Sequence, residues 1–94
     1  MHESGLCQGV LSVVRDVSAE APVARIRLRV GRLQGVVPDI FEFCWRMVAE
    51  DTAAGEARLE LIAVPGDSLT VEEVELTSGE VLRNPHLTAL GEKA

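Results

Sequence analysis

Residues 23–30 read Val-Ala-Arg-Ile-Arg-Leu-Arg-Val, with Ala24, Ile26, Leu28 and Val30 alternating against Arg25, Arg27 and Arg29. A side-chain period of two puts the apolar set on one face of a strand and the three guanidinium groups on the other. Such a strand belongs in a sheet with one face buried and one open, so the rest of the chain has to cover one side only. In 94 residues that cover must come from within a single small domain.

Upstream, Leu6, Val10, Val13, Val14 and Val17 recur three and four apart and predict a helix from about Glu3 to Glu20, closed by Pro22. Its valines are weak helix formers, so the element depends on burying that face. Downstream, Gly31 and Gly35 bracket a loop, and Pro38 suits the first turn of a second helix. Asp39 and Glu42 sit near the positive end of that helix, while Ile40, Phe41, Cys44, Trp45 and Val48 form its apolar face. Gly55 reads as its C-cap.

Residues 57–64 and 68–76 are strand-like and are joined by Val64-Pro65-Gly66-Asp67, which predicts a type II turn and a hairpin. In the second of these strands the alternation changes phase at Glu72 and Glu73, the mark of a bulge or of a side open to solvent. The order helix-strand-helix-strand-strand predicts an α/β fold, a small two-layer sandwich of two helices packed on a three-stranded mixed sheet. Its central strand-helix-strand unit forms a right-handed crossover. Residues 1–77 make the domain. Residues 78–94 read as a polar tail, disordered or carrying one short helical turn from Asn84-Pro85 through Leu90.

Composition excludes several classes of function. The three aromatic residues all fall within Phe41–Trp45, and a net charge of −6 with a pI near 4.8 is the wrong sign for a nucleic-acid surface. No apolar run approaches the ~20 residues of a membrane span, and residues 1–20 lack the pattern of a signal peptide, so the expected location is cytoplasmic. Cys7 and Cys44 are too few for a disulfide framework and form no C-x-x-C pair, so structural zinc is not expected; both read as small buried hydrophobes. There is no G-x-S-x-G, Walker loop or H-E-x-x-H, and His2 and His86 lie near the two ends of the chain, so the sequence reads as non-enzymatic. Phe41 and Trp45 read as core. The arginine stripe reads as paired across an open sheet face with Glu60 and with Glu72 or Glu75, the alternative being a docking face for an acidic partner.

Met1-His2-Glu3 brings an amine, an imidazole and a carboxylate together in three residues. The amine of Met1, the backbone nitrogen of His2 and one of its ring nitrogens would form fused chelate rings in nearly one plane, a geometry suited to Ni(II) or Cu(II). Glu3, through its carboxylate or its backbone nitrogen, could take a fourth position.

This start precedes Leu6-Cys7-Gln8, Arg27-Leu28-Arg29-Val30-Gly31-Arg32-Leu33, Gly35-Val36-Val37-Pro38-Asp39 and Phe41-Glu42-Phe43. In that order and spacing the blocks resemble the HypA/HybF family of nickel metallochaperones of hydrogenase maturation, collinearly over about residues 1–77. The resemblance implies that Met1, His2 and Glu3 bind Ni(II) as transient cargo. It also implies that a HypB-type GTPase and a hydrogenase large subunit are the partners, with a monomer or weak dimer as the working form. The family's module with two C-x-x-C pairs, which holds structural zinc, is absent, and Pro65-Gly66-Asp67 stands in its place. Asp39 is the acid nearest to the loop from which some members add a ligand. A second reading, a metal-free adaptor domain in nickel-enzyme maturation, follows if loss of the zinc module also ended nickel binding.

Overall fold

The computed structural model describes residues 2–83 and 89–90, with the side chains of His2, Ala89 and Leu90 outside the description. The chain runs α1 (His2–Ser18), β1 (Val23–Gly31), a 3-10 turn (Arg32–Gln34), α2 (Pro38–Ala49), β2 (Arg58–Val64), β3 (Leu69–Leu76), β4 (Val81–Arg83) and β5 (Ala89–Leu90). Both helices cover one face of a mixed sheet, the two-layer α/β sandwich expected from the alternation in β1. Ile26 and Leu28 of β1 are fully buried beneath Cys7, Val10 and Val14 of α1 and Phe41 and Trp45 of α2. Among the described residues no helix is long and apolar enough to cross a membrane.

The sheet has five strands rather than three, and its order differs from the expected hairpin. β1 is central, with β2 parallel on one side and β3 antiparallel on the other. β2 and β3 therefore do not pair, and Pro65–Ser68 crosses the end of β1 instead of closing a hairpin. The crossing is close: the Gly31 N–H donates to the Ser68 carbonyl at 2.7 Å and the Leu33 N–H to the Gly66 carbonyl at 2.9 Å. A Cβ on Gly31 would lie 2.8 Å from the Ser68 nitrogen and inside contact distance of the Gly66 carbonyl, so only glycine fits beneath the crossing chain.

The hairpin that does form joins β3 to β4, where the Leu76 N–H donates to the Glu80 carbonyl at 2.8 Å and Gly79 takes φ +99°. β5 then pairs with the opposite end of β3, so β4 and β5 share one edge. Residues 78–94, expected as a tail with a helical turn reaching Leu90, thus contribute strand at Val81–Arg83 and Ala89–Leu90. β3 had an unfilled edge, and pairing there satisfies its backbone groups. Asn84 and Pro85, the proposed cap of that turn, lie outside the described residues.

Both helices stop earlier than expected. α1 ends at Ser18, where Ala19 (φ 54°) and Glu20 (φ 66°) turn left-handed and the Glu20 N–H reaches back to the Arg15 carbonyl at 3.1 Å. α2 ends at Ala49 with Glu50 extended, not at Gly55; Asp51 takes the left-handed conformation and the Thr52 hydroxyl donates to the Ala49 carbonyl at 2.7 Å. Gly55 belongs to the following turn.

The phase change in β3 is a bulge. Arg27 pairs with Glu73 and the next residue, Leu28, pairs with Val71, leaving Glu72 as the extra residue.

Candidate functional site

α1 begins at His2, so the chain start is attached directly to a helix packed on the domain. Glu3 occupies its first turn, where a carboxylate opposes the positive end of the helix dipole. One turn on, the buried Cys7 thiol donates to the Phe41 carbonyl of α2 at 3.6 Å, and farther along Leu11 and Val48 line a common recess. Contact positions advance together along both helices, so α1 and α2 run parallel and their first turns lie at the same end of the molecule. Asp39 is in the first turn of α2 and is exposed.

Met1 and the His2 side chain, two of the three expected ligands, lie outside the described residues. Of the three, Glu3 alone is placed with its side chain, half-buried at the start of α1. Among the described residues no three His, Cys, Asp or Glu side chains gather into a group able to hold a metal ion.

Of the two cysteines expected to be buried, Cys7 is in the core and Cys44 is only partly covered. Cys7 is fully buried, and desolvation, reinforced by Cys44 and by the charge of Glu3, pushes its thiol up to about 12. It is therefore a neutral packing group near neutral pH. Cys44 is half-buried beside it on α2. Phe41 and Trp45 are core, and the indole Nε1 of Trp45 is buried without a hydrogen-bond partner among the described residues.

The arginine stripe is paired. Arg25 contacts Glu73 at 2.6 Å, Glu75 at 2.8 Å and Glu60 at 3.1 Å; Arg27 adds a bond to Glu60 at 3.1 Å, and Arg83 of β4 reaches Glu73 at 3.0 Å. Glu60 and Glu75 take the expected places, but Glu73 stands where Glu72 was an alternative, because the bulge shifts the register by one residue and turns Glu73 onto the arginine face. The hydrogen bond from Arg25, with the charges of Arg27 and Arg83, holds the Glu73 carboxyl below the usual carboxylate range. Arg27 and Arg25 do the same for Glu60. Most of the stripe is thereby neutralised within its own sheet, which leaves little for an acidic partner.

Sequence reasoning missed a surface. Ile40, assigned to the buried face of α2, is 50% exposed, and Phe43 and Met47 on the same outward face are 64% and 65% exposed. The signal was present: α2 has apolar residues on two opposite faces, and one helix can bury only one of them against a single sheet and α1.

With this geometry in place, comparison with known proteins gives a consistent result. Residues 1–69 match the family described as "Hydrogenase/urease nickel incorporation, metallochaperone, hypA". The hydrogenase maturation factor HypA of Dechloromonas aromatica is 41% identical over 69 residues, covering 70% of this chain and 61% of that protein. HypA of Rhodopseudomonas palustris is 38% identical with the same coverage. The chain thus spans about three fifths of the length of the curated relatives it matches. The solution structure of the Ni metallochaperone HypA from Helicobacter pylori superposes with a TM-score of 0.59 over 97% of this chain and 89% of that one, at 11% identity, a likeness of fold.

Proposed function

This chain belongs to the HypA family, and on that footing we propose that it is a non-enzymatic nickel metallochaperone, cytoplasmic, that holds Ni(II) at Met1, His2 and Glu3 for transfer to a nickel enzyme. The acceptor is a [NiFe]-hydrogenase large subunit, and a HypB-type GTPase is the working partner. The observation that carries the reading is that the family match starts at residue 1 and so takes in the Met-His-Glu start.

The placement of that start on α1 supports the chemistry. The first four N–H groups of a helix have no intrahelical carbonyl to bond, so the His2 nitrogen can lose its proton to a metal without breaking a helical hydrogen bond. The positive end of the α1 dipole opposes a cation, and the Glu3 carboxylate offsets it in the same turn. The balance favours moderate affinity, which suits a carrier whose cargo must be surrendered to a site richer in thiolates. Structural zinc has no part in this reading.

The test is titration of Ni(II) into the untagged chain, into His2→Ala and into a form extended at its N-terminus, followed by calorimetry and absorption. One equivalent bound with a planar diamagnetic spectrum, and lost in both altered forms, is the expected result. Equal weak binding by all three would end the nickel reading in favour of a metal-free adaptor.

A further inference from the structure

Among the described residues β2 pairs with β1 alone, so every second residue along Arg58–Val64 turns its backbone N–H and C=O groups away from the sheet. The opposite edge is closed, since the outer side of β3 carries the short strands β4 and β5. β2 has none of the usual protections of an edge. It contains no proline, lysine or glycine, and it runs seven residues beside β1 without a register shift. From Leu59 to Val64 its one charged residue is Glu60, whose carboxylate is turned in toward Arg25 and Arg27 of β1 at 3.1 Å. An unbroken apolar edge of this kind is a template for a further strand.

The surroundings of the edge indicate which strand. Leu59, Leu61 and Ala63 face the helix layer, but α2 covers them incompletely: Leu59 and Leu61 are partly buried and Ala63 is exposed. Two recesses lie between α2 and the edge, one lined by Val30, Val36, Pro38, Leu61 and Ala63, the other by Glu42, Trp45, Ala57 and Leu59. A strand added to β2 directs alternate side chains to this side, where apolar residues extend the cover of Leu59 and Leu61. On the open side of the sheet, Arg58 is exposed and has no ion pair among the described residues. An acidic residue beside it gains a partner. A second copy of β2 supplies none, because its one carboxylate, Glu60, is already committed to Arg25 and Arg27.

We propose that the free edge of β2 is a docking site for an extended segment of another protein, which adds to the sheet as a further strand. The segment presents alternate apolar residues toward α2 and an acidic residue beside Arg58. Antiparallel addition gives the stronger pairing, and it places the acid three residues after the apolar side chain that meets Leu61. The inference is independent of nickel, since no residue of the Met1-His2-Glu3 start takes part.

Titration of the full metal-free chain with the blocked peptide Thr-Val-Thr-Leu-Thr-Val-Glu tests it, read by amide hydrogen exchange and by the emission of Trp45, the single tryptophan. The outward amides of β2 should exchange freely in the chain alone and become protected when the peptide is added. Methylating the peptide nitrogens that face the edge should weaken binding by about tenfold or more. Exchanging the peptide's Glu for Lys should weaken it by about two- to fivefold, and Arg58→Glu should reverse that preference. Arg58 is at the surface, and an unchanged melting transition shows that the variant folds. No binding, binding indifferent to methylation, or a preference for Glu that persists in Arg58→Glu would each overturn the proposal. Outward amides already protected in the chain alone, or protected with rising chain concentration, overturn it likewise, by giving the edge to this chain or to a second copy.

Discussion

Arg25 of β1 meets Glu73 of β3 at 2.6 Å, although the Glu73 side chain is only 6% exposed and the two residues are 48 positions apart in sequence. The contact lies beside the Glu72 bulge and binds the central strand to the one that crosses to its far side. Arg25 also spans the sheet to Glu60 on β2, so one guanidinium ties together three strands.

Acid should loosen the sheet through these groups. Glu60 and Glu73 have carboxyls held below their ordinary range in the fold, so the unfolded chain binds protons first. Their contribution is complete above the unfolded carboxylate value of about 4.3 and is lost as pH falls through it toward the lower folded value. Chemical denaturation across that window should show stability falling with pH, with a shallower slope in Glu73→Gln. The same slope in both proteins would show that Glu73 is not the linked group.

Gly31→Ala should destabilise by about 1–3 kcal/mol, because the added methyl meets the backbone of Gly66 and Ser68 rather than a side chain able to move. Gly35→Ala meets open space at φ +66° and should have the smaller effect, from backbone strain alone. Paired thermal melts check the order.

Trp45→Ala should remove about 3–5 kcal/mol by opening a core cavity. Trp45→Phe should cost distinctly less, since the indole N–H that it deletes has no partner to leave unsatisfied. Equal losses would mean that the N–H carries an interaction.

Alkylation of the native protein should modify Cys44 well before Cys7, whose neutral thiol is sealed beneath α2 and bonded to Phe41. Mass mapping after brief exposure to iodoacetamide reads the ratio. Nickel binding should survive Cys44→Ala if the metal is held at the chain start.

Nickel affinity should fall more than tenfold between about pH 8 and pH 6, because an amine and an imidazole must lose their protons to bind the metal. Calorimetry showing no change over that range would contradict the amine-imidazole ligand set.

Residue chemistry alone determined the elements that rest on local pattern. The alternation of residues 23–30 determined a half-buried strand, Pro38 marked the first turn of α2, and the broken alternation at Glu72 and Glu73 located the bulge. Those signals lie within a few residues of one another, so the chain states them without reference to the rest of the fold. The Met-His-Glu start was legible as a motif for the same reason. The path of Pro65–Ser68 was not, because a tight Pro-Gly turn serves a hairpin and a crossing equally well. The choice fell to β1, which has two edges to pair and a glycine at position 31 over which the chain can pass. The same holds for Glu73 in place of Glu72, and for the second apolar face of α2. Which glutamate meets an arginine depends on strand register, and which helix face stays exposed depends on where the sheet and α1 already stand. Only the packed structure decides either.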